Sequence, residues 1–147
     1  MDRLSKHKQE IRKRIMDIAS RNYGKGYNCA QSVVLACSEV LGLENSSYLI
    51  NSCAGLAGGL GYSGCCCGAL LGGVLVIGAK YSNGSGKNRK KTLKITEKLY
   101  QKFKGRFSTP CCRGLRKDIG FKDKRLLEHC RAITVETAGM VAELLAD

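Results

Sequence analysis

Isoleucines at 11, 15 and 18 recur at helical steps along residues 5–23, with polar and charged residues between them. Asn28 is placed to cap a second helix, in which Ala30, Val33, Val34, Cys37, Val40 and Leu41 share a face and Gly42 supplies the stop. Ser46 or Ser47 can cap a short third helix reaching residue 57. A Gly-rich stretch over 55–64 follows, and residues 65–80 then form a segment that is apolar all round, as expected of a central helix. Asn83-Gly84-Ser85-Gly86 is a chain break. Helical spacing resumes over 87–104 with Leu93, Thr96, Tyr100 and Phe103 on one face. Pro110 opens a short turn or helix carrying Cys111 and Cys112. Asp123 can cap a last helix with Leu126, Leu127, Cys130, Ile133, Thr137, Val141 and Leu144 at steps of one, three and four. No segment sustains strand alternation, and no internal repeat or second domain is visible. The expected fold is all-α: one multi-helix bundle over residues 1–147 with a buried Gly/Ala-rich central helix.

Charge changes this picture little. No charged residue occurs between Glu44 and Lys80, but the continuous apolar part, 69–79, is about half of the ~20 residues a membrane span needs. No insertion into a membrane is expected. The N-terminal residues are basic with no apolar run behind them, so no signal peptide is expected and the expected location is cytoplasmic. Residues 80–131 hold 17 Lys/Arg against four Asp/Glu. Few aromatics and no recognition motif accompany that block, which argues against nucleic acid. Its charges fall on outer helix faces, where they would be solvated or dock an acidic partner. Gly59-Leu60-Gly61-Tyr62-Ser63-Gly64 matches a dinucleotide fingerprint in letters alone. A strand before it and an acidic residue about 20 positions on are both missing, so no nucleotide is expected. The loop instead suits close approach of a helix or an inorganic group.

The distinctive chemistry is cysteine. Nine cysteines stand at 29, 37, 53, 65–67, 111–112 and 130, in a chain long enough to fold without disulfide staples. An odd count does not suit a fully paired extracellular framework, and a reducing compartment leaves thiols for reactivity or metal binding. There is no C-x-x-C pair and no close histidine pair, since His7 and His129 are far apart, so a zinc ribbon is disfavoured. Cys37 and Cys53 read as small buried hydrophobes. Cysteines at helix starts differ, because the dipole and free N–H groups there favour a thiolate. Cys67, before Gly68-Ala69, is the best placed of the 65–67 triplet. Adjacent helical residues point about 100° apart, so the three cannot all serve one site.

Cys29-Ala30-Gln31-Ser32-Val33, the Gly-rich loop, Cys67-Gly68-Ala69-Leu70-Leu71-Gly72, Cys112-Arg113 and Cys130 together resemble the redox-active family named for its C, GCAxxG, C, C pattern. The similarity spans most of the chain, from residue 28 to 135. It implies a helical fold and four key cysteines, here Cys29, Cys67, Cys112 and Cys130, as cofactor or metal ligands. Relatives named split-Soret cytochromes pair a similar module with haem and an iron–sulfur centre; C-x-x-C-H is missing here, so no covalent haem is expected. Cys65, Cys66 and Cys111 are additions to the pattern. Three chemistries stay open at this point. One is an iron–sulfur cluster, [2Fe-2S] or [4Fe-4S], held by four cysteines. Another is thiol–disulfide exchange through pairs such as Cys29 with Cys67 and Cys112 with Cys130. The third is a structural zinc. The expected partner is an acidic redox protein or an oxidoreductase, and a homodimer is allowed for.

Overall fold

The computed structural model describes residues 2–82 and 84–146. Its elements are α1 (Arg3–Asn22), α2 (Cys29–Leu41), α3 (Ser46–Ser52), a 3₁₀ turn (Ala54–Leu56), α4 (Ala57–Leu60), α5 (Gly68–Tyr81), α6 (Arg89–Phe107), α7 (Cys112–Arg116) and α8 (Leu126–Leu145). No strand forms among the described residues; two isolated bridges join Tyr23 to Tyr27 and Cys66 to Cys111. The fold is all-α. No helix among the described residues is long and apolar enough to cross a membrane.

Helix α5 packs against α2, α6 and α8, while α1 lies along α8 and α2. Its glycines set those distances. A Cβ on Gly72 would stand 2.7 Å from the Ala30 carbonyl oxygen of α2, and one on Gly73 would strike Leu99 of α6 and Val141 of α8 at 2.8 and 2.9 Å. Gly72 therefore lets the α2 backbone close on α5 and Gly73 receives side chains of α6 and α8, and Ile15, Val33, Ile77, Leu99, Phe103 and Val141 fill the interior around it. Leu71, Val74 and Leu75 on the remaining side of α5 are half-buried.

The predicted faces hold for α1, where Ile15 and Ile18 are buried, and for α2, which is capped by Asn28 at its start and by Gly42 in the left-handed conformation (φ 68°) at its end. Four expectations are corrected. The central helix begins at Gly68, because residues 65–67 are extended and bond to the segment before α7: the Cys67 N–H donates to the Pro110 carbonyl (2.8 Å) and the Arg113 N–H to the Gly64 carbonyl (3.0 Å). Leu93 is exposed, and α6 buries Leu99 and Phe103 instead. Asn45, not Ser46 or Ser47, precedes α3, without a side-chain cap. Asp123 accepts from the Arg125 N–H (2.8 Å) in a turn ahead of α8, which starts at Leu126. Within the predicted 83–86 break, Gly84 and Gly86 have positive φ; Asn83 lies outside the described residues.

Candidate functional site

Cys29, Cys67, Cys112 and Cys130 come from four separate helices or their caps and line one cleft of about 460 Å³. Cys29 is the first residue of α2. A reciprocal cap fixes it: the Gln31 N–H donates to Asn28 Oδ1 (2.9 Å) and the Asn28 N–H donates to Gln31 Oε1 (3.0 Å). Asn28 Nδ2 also donates to the Cys53 and Ala54 carbonyls (3.3 and 3.2 Å), tying this helix start to the turn after α3. Cys67 stands at the N-cap of α5, its sulfur facing the Ala69 and Leu70 N–H groups without closing a capping hydrogen bond. Cys112 is the first residue of α7 and Cys130 lies near the start of α8. Free backbone N–H groups are what helix starts offer a sulfur that carries negative charge.

The Gly-rich loop closes one wall. Gly58, Gly59, Leu60, Gly61 and Tyr62 are consecutive residues with positive φ, a left-handed turn that brings the backbone onto the thiols. A Cβ on Gly59 would stand 2.7 Å from the Cys112 Cβ and 2.5 Å from the Cys65 N. A Cβ on Gly68 would stand 2.5 Å from the Cys29 sulfur. Across the cleft, Tyr62 meets Phe121 edge-on (ring centroids 5.1 Å), and the Arg116 guanidinium lies 3.7 Å over the Phe121 ring.

Burial dominates the electrostatics. Desolvation pushes the Cys29 and Cys130 thiols up to about 11 and the Cys67 thiol up to about 12, and the neighbouring cleft cysteines add to each shift. Backbone N–H groups oppose the shift at Cys29 and Cys67; the Tyr23 hydroxyl and Arg116 oppose it at Cys130. Burial and then the adjacent Cys130 and Cys29 raise the Tyr23 phenol as well. Cys29, Cys67 and Cys130 thus hold their protons at neutral pH when nothing replaces them.

All nine cysteines are free thiols. Cys37 and Cys53 are buried apart from the cleft, as the sequence led one to expect, and Cys53 Sγ donates to the Leu49 carbonyl (3.2 Å). Cys65, Cys66 and Cys111 are outside the cleft lining. Sequence reasoning missed Tyr23, Arg116 and Thr134, all of which line it. A tyrosine within the Gly-rich turn before Cys29 was a usable signal for the first; nothing in the spacing singled out the other two.

A cysteine-lined cleft at the N-termini of packed helices, with a glycine loop over it, defines a helical cysteine-motif protein. The sequence model of the family described as "Putative redox-active protein (C_GCAxxG_C_C)" matches residues 27–144, and the chain belongs to that family. No curated protein and no solved structure matches the chain.

The lining suits a thiolate-held inorganic group in several ways. Its donors are four soft sulfurs. Gly59 and Gly68 let backbone pack directly against Cys112 and Cys29, where a Cβ would clash. Thr134 Oγ1 and Arg116 Nε are buried there without a hydrogen-bond partner, and each can donate to a sulfur. As the side chains stand, no three His, Cys, Asp or Glu among the described residues form a set that could hold a metal ion. Ligation by all four therefore requires the thiols to turn toward the centre of the cleft.

Proposed function

We propose that Cys29, Cys67, Cys112 and Cys130 hold an iron–sulfur cluster and that the protein relays electrons between other redox proteins. The observation that carries this reading is the convergence of four buried or half-buried thiols from four elements on one cleft. Such a cluster supplies reversible electron storage at modest structural cost. The chain's own residues do the rest. Backbone N–H groups lie against the Cys29 and Cys67 sulfurs, Thr134 and Arg116 offer further donors, and the glycine loop forms one wall of the cleft.

Burial favours this reading over thiol–disulfide exchange. An exchanging thiol needs a thiolate near neutral pH, whereas Cys29, Cys67 and Cys130 are pushed up to between about 11 and about 12. A bound cation removes those protons itself. Exposed Arg113, Lys117, Lys122, Lys124 and Arg125 lie in the segment carrying α7 and its approach to α8, and they suit an acidic partner.

The test is anaerobic purification followed by visible absorption and metal and acid-labile sulfide analysis. The expected result is a brown protein with iron and sulfide in equal amounts. Stoichiometric zinc without sulfide, or a colourless metal-free protein that cycles between dithiol and disulfide, would replace this reading with one of the other two.

A further inference from the structure

Cys66 and Cys111 are additions to the four-cysteine pattern and face each other across an isolated antiparallel bridge. The flanking hydrogen bonds define the type of pair. The Cys67 N–H donates to the Pro110 carbonyl and the Cys112 N–H to the Cys65 carbonyl, so the bonds lie on either side of Cys66 and Cys111 and not between them. That is the non-hydrogen-bonded position of an antiparallel ladder, where Cα atoms approach to about 4.5 Å and side chains are closest. Disulfides span Cα separations of about 4.4–6.8 Å. Alternation along extended backbone puts Cys66 and Cys111 on the face opposite Cys67 and Cys112. The two are accordingly outside the cleft lining, both half-buried, with Cys65 exposed beside them. Cys111 Sγ donates to the Gly64 carbonyl at 3.3 Å, which fixes its side chain within the bridge.

We propose that Cys66 and Cys111 form a reversible disulfide, separate from the four cleft thiols, with a low-molecular-weight disulfide such as oxidised glutathione as the oxidant. One of the two thiolates attacks a sulfur of glutathione disulfide; the S–S bond breaks and a glutathione thiolate leaves. The other then attacks the protein sulfur of the mixed disulfide and expels the second glutathione. Two protein thiols lose two electrons and two protons, and one glutathione disulfide becomes two glutathione thiols. The new bond ties the segment before α5 to the segment before α7, one residue from Cys67 and one from Cys112, and holds both in register. The inference stands whatever occupies the cleft, because neither sulfur belongs to it.

The experiment treats the anaerobically purified full chain with glutathione buffers of graded oxidation, quenches with an alkylating agent and maps cross-linked peptides by mass spectrometry. The wild type is expected to give the Cys66–Cys111 cross-link, and its thiols counted in denaturant should fall from nine to seven. Cys66→Ser and Cys111→Ser should each lower the cross-linked fraction at least about tenfold, and Cys65→Ser should leave it unchanged. A cross-link joining Cys65 to Cys112, separate glutathione adducts on Cys66 and Cys111, or no oxidation in excess glutathione disulfide would each overturn the proposal. The wild-type map decides the matter even if one variant folds poorly.

Discussion

Cys37 is fully buried and Cys29 half-buried, and what surrounds them separates their roles. Cys37 lies on the inner face of α2, and desolvation alone pushes it up to about 12 from an ordinary value near 9. The folded state thus holds its proton more tightly than the unfolded chain does. The resulting stability is fully present below pH 9 and is lost as pH rises through about 12. Urea midpoints of the metal-free protein should therefore fall between pH 9 and pH 11, and Cys37→Ala should flatten that fall. An equal slope in the variant would refute the assignment. Gly68 has the opposite character, since an added Cβ would meet the Cys29 sulfur at 2.5 Å and the Leu56 carbonyl oxygen at 2.8 Å. Gly68→Ala should cost about 1–3 kcal/mol and move Cys29 out of place. Chemical denaturation and cofactor content together check both halves of that statement.

Local geometry at the level of elements is set by glycines and by a few strained residues. Leu60 has φ 70° and is substantially exposed, so it carries left-handed strain with little burial to offset it. Leu60→Gly should raise stability by up to about 1 kcal/mol, seen as a higher denaturation midpoint; a lower midpoint would mean that its side chain packs more than its exposure implies. The positions of α1, α2 and α8 were legible from hydrophobic spacing, although α8 is buried all round over residues 137–142 and Leu127 of its expected face is exposed. The start of α5 was not legible. Cysteines 65–67 look as apolar as the helix that follows, and their extended form comes from pairing with residues 110–112, more than 40 positions away. The inner face of α6 was misread at Leu93: the inward stripe runs through Ile95, Leu99 and Phe103, and Leu93 lies outside it.

At the scale of the whole molecule, the packing of α2, α5 and α8 and the return of the chain at α7 bring four distant cysteines around one cleft. Spacing along the chain could not establish that convergence, since the positions span residues 29 to 130; the motif resemblance pointed to it. The surrounding residues Tyr23, Arg116 and Thr134 enter only through tertiary packing. The basic residues of α6 and of the segment leading into α8 are largely exposed, as expected of a solvated face. The most direct test of the central claim is iron and acid-labile sulfide content of anaerobically purified single Cys→Ser variants. The account predicts that changes at Cys29, Cys67, Cys112 and Cys130 each remove most of both, while changes at Cys37 and Cys53 keep both and cost only about 1–3 kcal/mol of stability. Full iron and sulfide in the Cys130→Ser protein, with loss on changing Cys65 or Cys111, would contradict it.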